Sequence, residues 1–189
     1  MMIAPTTTIA TLWGIWLLGW LITARATAKS VVEQPGSSRL AHSLFMLIGA
    51  LLLFFRPRGL GGLMQPLLRT PWIGWAGVAL VAIGLGFAGW ARFHLGRLWS
   101  GRVTLKEDHA IIRTGPYGIV RHPIYTGLVL ALVGTALAQG TVPALAGLVL
   151  IVIGLLIKIR QEERLLTDHF GAAYEAYRAD VRALIPYVW

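Results

Sequence analysis

Residues 124–157 read IYTGLVLALVGTALAQGTVPALAGLVLIVIGLLI, without one charged side chain. Two apolar runs, 124–138 and 142–157, are separated only by Gln139, Gly140 and Thr141. Each run approaches the roughly 20 residues that a hydrocarbon core requires of a spanning helix. So short a link predicts a tight antiparallel helical hairpin. Pro143 suits the first turn of the second helix, where its missing N–H costs nothing.

Working outward, three more runs have the same character: 9–23, which carries Trp13, Trp16 and Trp20; 42–55, which is short; and 72–90. The expected fold is therefore an all-α membrane protein of five transmembrane helices, a single integral-membrane domain over residues 1–189. Composition agrees. Hydrophobic residues make up 56% and charged residues 13%, and mean hydropathy is +0.67. Soluble domains are nearer 45–50% apolar and about 25% charged. The first run has neither a basic segment before it nor a small-residue cleavage site after it, so it reads as a retained helix.

The chain is basic, with a net charge of +9. Its positive residues punctuate the apolar runs instead of covering one polar face. That pattern belongs to juxtamembrane segments beside anionic lipid, so the partner is a bilayer and not nucleic acid. Fourteen Lys and Arg residues fall in the connection between helices one and two, the connection between helices three and four, and the tail; three (Arg56, Arg58 and Arg69) fall elsewhere. The bias predicts a C-terminus and a helix 3–4 connection in the cytoplasm and an N-terminus outside, in the inner membrane if the source is prokaryotic. With no cysteine, neither a disulfide framework nor a Cys-ligated metal site is available.

Two polar segments are then expected at one membrane face. The first, 113–127, reads RTGPYGIVRHPIYTG and gathers Arg113, Tyr117, Arg121, His122 and Tyr125. Upstream of it, 103–105 and 110–112 flank residues 106–109 and predict a short β-hairpin. The second is the tail, where Leu166, Phe170, Tyr174, Tyr177, Val181 and Leu184 recur at helical spacing. This predicts an amphipathic helix, broken at Gly171 and stopped by Pro186, lying against the loop or along the headgroups.

Within the first segment, Arg121-His122-Pro123 opens helix four. Pro123 suits the first helical position, His122 can cap, and Arg121 can snorkel to phosphates. The free N–H groups of a helix start, beside Arg113, Arg121 and His122, also make a site for a small carboxylate or phosphate. Glu162 and Glu163 follow helix five. Lys158 and Glu162, four apart, can pair; alternatively one Glu binds an ammonium or ribose hydroxyls. Neighbours on a helix point about 100° apart, so one Glu is expected to face the loop and the other elsewhere.

Other motifs are set aside. Gly84, Gly86 and Gly89 match a GxGxxG dinucleotide fingerprint, but that fingerprint needs a strand-to-helix turn, and these glycines lie inside an apolar run. They read as close helix packing through small residues, or as room for a ligand beside the backbone. His94, His109 and His169 lack ligand spacing, and His42 and His122 belong to different helices, so no metal site is expected. GxSxG is absent, which removes a serine hydrolase from consideration.

Taken together, GPYGIVRHPIYTG and EERLLTDHFGAAYEAYRADVRALIP resemble the isoprenylcysteine carboxyl methyltransferase family and its prokaryotic membrane relatives, to which phospholipid N-methyltransferases are related. Gly115, Tyr117, Arg121, His122, Pro123, Tyr125 and Gly127 match the first family motif; Glu162, Glu163, Leu166, Phe170, Gly171, Tyr174, Tyr177 and Pro186 match the second. The resemblance covers about residues 86–186. It implies S-adenosyl-L-methionine as cofactor, S-adenosyl-L-homocysteine as product, and a lipophilic acceptor entering from the membrane. The implied cofactor region is 92–127 and 158–186, with Arg113, Gly115, Tyr117, Arg121, His122, Pro123, Tyr125, Glu162 and Glu163 as binding residues. Lys158 or Arg160 would orient an acceptor carboxylate, and Glu163 would serve as base for an amine. The family tends to carry arginine where this chain has Lys158, and the two cations are not equivalent for bidentate carboxylate binding. The competing readings are an NADPH-dependent membrane reductase of a sterol-like double bond and a non-enzymatic, lipid-binding helix bundle.

Overall fold

A computed structural model describes residues 4–24, 30–33, 36–55, 58–67, 70–96, 104–106 and 111–186. Helices dominate it: α1 (Pro5–Ala24), α2 (Gly36–Phe54), α3 (Pro71–Leu95), α4 (Pro123–Gln139), α5 (Val142–Phe170) and α6 (Ala172–Asp180). Short 3-10 segments occupy Arg58–Met64 and Gly115–Gly118. α1, α3 and α5 are long and apolar enough to cross a membrane; the apolar parts of α2 (His42–Phe54) and α4 are shorter. The exposed side chains of the helices are themselves greasy, among them Ile15, Leu18 and Leu21 of α1, Ile83 and Phe93 of α3, and Val149 of α5. Such exposure is tolerable only where the solvent is lipid.

Two antiparallel helix pairs form the body, α3 with α4 and α2 with α5. The sequence shows why. Gly77 and Gly84 lie seven apart on α3, and Gly127 and Gly134 lie seven apart on α4. A Cβ on Gly84 would come 2.5 Å from the Gly127 carbonyl oxygen, and one on Gly77 would come 2.5 Å from that of Gly134. Gly49 of α2 and Gly147 of α5 repeat the arrangement, at 2.7 Å. In lipid the hydrophobic effect supplies no force between helices, so backbones held close by small residues provide dispersion contacts instead. Gly84 thus belongs to helix packing, as expected. Gly86 and Gly89 meet nothing within 4 Å.

The α4–α5 turn is tight, with Gly140 in the left-handed region and the Thr141 hydroxyl accepting from the Ala144 N–H at 3.3 Å. Beyond the turn, however, α4 and α5 take α3 and α2 as their main partners, so the hairpin is not a closely packed pair. α1 lies on α3 and reaches α4 through the Trp13 indole N–H, which donates to Thr135 Oγ1 at 3.0 Å.

Three expectations need correction. Residues 104–106 do form a strand, β2 (Thr104–Lys106), but it pairs antiparallel with β1 (Ser30–Glu33) from the α1–α2 connection, and residues 111–112 are not in a strand. Residues 103 and 107–110 lie outside the described residues. A three-residue strand pairs with whichever edge is brought to it, and here both connections emerge at the same end of the bundle. Among the described residues the protein is therefore helical with one small two-stranded ladder. Next, α5 does not end near 157 but runs to Phe170, because residues 158–168 are rich in good helix formers. The expected break at Gly171 is present, with φ at 52°. Last, α6 stops at Asp180, well before Pro186. Val181 is extended, and just beyond it the carbonyls of Arg182 and Ala183 accept from the N–H groups of Arg121 and His122 at 2.8 and 3.0 Å.

Candidate active site

The end of the bundle where α4 begins and α5 emerges from its apolar run collects most of the polar residues singled out above. Pro123 occupies the first turn of α4 and sets its start at His122. His122 makes no capping hydrogen bond with its side chain. Its ring is buried and turned toward α5, with Nε2 3.1 Å from Glu163 Oε1 and Nδ1 3.7 Å from Glu162 Oε2. Tyr125, one turn into α4, donates its hydroxyl to Glu162 Oε1 at 2.6 Å. The rings of His122 and Tyr125 stack with centroids 5.8 Å apart. Lys158 Nζ sits 5.5 Å from the Tyr125 ring centroid, one turn before Glu162.

Glu163 is the hub. Its Oε1 accepts from Arg121 Nε at 2.8 Å, from Arg121 Nη2 at 2.6 Å, and stands beside His122 Nε2. Its Oε2 faces Arg178 Nε of α6 at 3.7 Å. The Arg121 side chain is only 9% exposed and that of Glu163 16%, so the pair is largely desolvated and each charge depends on the other. Arg121 also donates to the carbonyls of Arg178 and Val181. It does not snorkel outward, and the tail takes up the two N–H groups that lead into α4. The two glutamates take different main partners, Glu163 the Arg121 of the connection and Glu162 the Tyr125 of α4. The His122 ring spans both positions and receives one carboxylate at each nitrogen.

The 3-10 turn at Gly115–Gly118 anchors this cluster to the tail. Tyr177 donates its hydroxyl to the Tyr117 carbonyl at 2.7 Å. Arg113 donates to the Ala173 carbonyl at 2.6 Å, and its guanidinium lies 5.3 Å from the Tyr177 ring centroid. Gly115 leaves room for the His94 ring, which a Cβ would approach to 2.7 Å; His94 in turn meets Thr114 Oγ1 at 2.9 Å. Burial pushes the Tyr177 phenol up to about 12 and moves Tyr117 and Tyr174 the same way, so all three stay neutral at physiological pH. Tyr177→Phe should cost about 1–1.5 kcal/mol, the value of a buried hydrogen bond whose acceptor is stranded. A fall in thermal unfolding temperature with the oligomeric profile unchanged would show it; an unchanged temperature would remove this bond from the account.

Arg160 lines a cleft with Glu163, Arg164, Thr167, Asp168 and Arg178, which borders the cluster at Glu163 and Arg178. Sequence reading missed Arg178 as a partner of Glu163 and missed the tail's bonds to Arg121 and His122. Only the position of Arg178 beside the motif residue Tyr177 hinted at the first, and nothing local marked the second.

Residues 76–168 match the Isoprenylcysteine carboxyl methyltransferase (ICMT) family, a stretch that takes in Arg121, His122, Tyr125, Glu162 and Glu163. The chain is similar to that family over just under half of its length. A probable protein-S-isoprenylcysteine O-methyltransferase of Oryza sativa subsp. indica is 28% identical over 130 residues, covering 67% of this chain and 68% of the relative. Protein-S-isoprenylcysteine O-methyltransferase B of Arabidopsis thaliana is 28% identical over 120 residues, covering 62% of this chain and 61% of its own. The protein-S-isoprenylcysteine O-methyltransferase of Schizosaccharomyces pombe is 32% identical over 83 residues, covering 43% of this chain and 35% of its own. The similarity and the apolar helices make this chain a membrane methyltransferase. Its cluster at the α4–α5 mouth joins the two family motifs, separated by some forty residues of chain, through the hydrogen bonds of Glu162 and Glu163 to Tyr125 and Arg121.

Proposed function

We propose that the protein transfers a methyl group from S-adenosyl-L-methionine to a lipophilic acceptor, either an isoprenylcysteine-like carboxylate or a lipid head group. The observation that carries this reading is the convergence of His122, Tyr125, Glu162 and Glu163 at one end of an otherwise apolar bundle. The donor set suits the cofactor. Glu162 offers a carboxylate to an ammonium or to ribose hydroxyls, His122 lies beside it for a carboxylate, Arg113 is a second cation at the tail, and Tyr117 and Tyr125 supply an aromatic wall. When bound, S-adenosyl-L-methionine supplies an electrophilic methyl on a sulfonium. The protein's part is alignment and exclusion of water. Arg121, Glu163 and Arg178 hold the tail against α4 and so keep the two halves of the site in register. Lys158, on the same side of α5 as Glu162 and beside Tyr125, would orient an acceptor carboxylate, which is already ionised and needs no base. An amine acceptor would instead require Glu163 to take a proton, at the expense of its ion pair. The acceptor's apolar part would enter between helices from the bilayer. On this reading five helices are embedded, and the Lys/Arg bias supports a site on the cytoplasmic side with the N-terminus outside.

Purified protein should be stabilised by S-adenosyl-L-homocysteine, by about 2.7 kcal/mol at a hundredfold excess over its dissociation constant. Incubation with labelled S-adenosyl-L-methionine and a lipid extract should yield a labelled, membrane-extractable product. Stabilisation by NADPH and not by S-adenosyl-L-homocysteine would sink this reading in favour of a reductase.

A further inference from the structure

The cleft lined by Arg160 adjoins the active-site cluster at Glu163 and Arg178, but Arg164, Thr167 and Asp168 have no part in the methyl-transfer reading. Arg160, Glu163, Arg164, Thr167 and Asp168 of α5 and Arg178 of α6 line an open cleft of about 260 Å³. That is below the roughly 300–1,000 Å³ of sites for whole small molecules, and suits a head group better than a complete nucleoside cofactor.

The charges around it are unequal. Glu163 is matched by Arg121, and Arg178 by Glu175 at 3.0 Å and Glu163 at 3.7 Å. Arg160 and Arg164 are exposed, one helical turn apart, and have no hydrogen bond or ion pair among the described residues; the same holds for Asp168. Like charges one turn apart repel, and a helix gains nothing by keeping them there. An anion between them would turn that repulsion into two charge-assisted contacts. With Asp168 on the rim, the unmatched charge is close to a single positive unit, which suits a monoanionic phosphodiester better than a dianionic phosphate.

Depth points the same way. The apolar run of α5 ends at Ile157, so Arg160 and Arg164 stand roughly 4.5 and 10.5 Å beyond it at 1.5 Å per residue. The head-group layer on each side of a bilayer is roughly 5–8 Å thick. The two guanidinium groups, on flexible stems, reach that layer.

We propose that Arg160 and Arg164 bind the phosphodiester of a membrane phospholipid, with the Thr167 hydroxyl as an additional donor and Asp168 selecting against a second negative charge. The lipid would stand next to Glu163 and Arg178, touching the outer side of the cluster that orders the active site.

The test uses the full chain in detergent and native mass spectrometry with added phosphatidylglycerol, diacylglycerol or inorganic phosphate. Wild-type protein should retain one phosphatidylglycerol, fail to retain diacylglycerol, and keep its lipid in the presence of inorganic phosphate. The double substitution Arg160→Gln and Arg164→Gln should weaken retention at least tenfold, whereas Arg160→Lys with Arg164→Lys should weaken it by less than half that factor. Unfolding temperatures measured alongside would reveal a variant that fails to fold, and the wild-type comparison of lipids decides the matter in that case. Equal retention of diacylglycerol, displacement by inorganic phosphate, or undiminished retention by a folded Gln double variant would each overturn the proposal.

Discussion

Glu163→Gln should lower methyl transfer by about two orders of magnitude and destabilise the fold. The carboxylate accepts two contacts from Arg121 through one oxygen, stands 3.1 Å from His122 Nε2, and faces Arg178 with the other oxygen. Glutamine keeps the shape but removes the charge, and its amide N–H₂ must face a guanidinium or the imidazole. Breaking a buried ion pair from one side costs about 3–5 kcal/mol. The residual exposure of this pair argues for the lower figure, and about 3 kcal/mol corresponds to a factor near 150 in the fraction of molecules with the site assembled. Glu162→Gln is the comparison. It weakens one contact from the Tyr125 hydroxyl and should cost only about 1–2 kcal/mol of stability. Turnover with labelled cofactor and thermal unfolding would be measured on both. Wild-type values for Glu163→Gln would remove it from the centre of the site.

Gly84→Ala should be among the most disruptive single methyls in the bundle. The new Cβ would lie 2.5 Å from the Gly127 carbonyl oxygen and 2.6 Å from the Ala131 nitrogen. Both are backbone atoms, so no side chain can rotate away and the helices must separate. Forced overpacking costs about 1–3 kcal/mol and occasionally more, and α3–α4 is the closest of the helix interfaces here. Gly86→Ala, half a turn along the same helix, meets nothing within 4 Å. It should be neutral or stabilise by up to about 1 kcal/mol, since alanine is the better helix former. Equal stability of the two variants in a melting experiment would contradict the packing described.

Much of this was legible in the chain alone. Apolar runs, Pro123 and Pro143 at helix starts, and Gly171 at a helix break act through neighbours a few positions away; the two prolines and Gly171 stand where expected, and each apolar run lies in a helix. The motif residues His122 and Glu163 were also legible as site candidates, because buried charge in a greasy chain demands a partner. Which partner was not. An anion site was expected at Arg121, yet Arg121 is engaged by Glu163 from forty-two positions on and by the tail carbonyls. Likewise β2 was recognised as a strand, but its mate lay in the other connection.

The sequence by itself determined that this chain lies in lipid, how its helices begin and where its polar residues concentrate, because transfer to hydrocarbon and helix capping are local properties. The tertiary structure alone decided that α3 holds α4 and α2 holds α5, that both glutamates turn to His122, and that residues 181–184 lie along the start of α4. Those outcomes depend on which surfaces meet once backbones approach across glycine, and a desolvated charge settles on the partner that the assembled helices bring within reach.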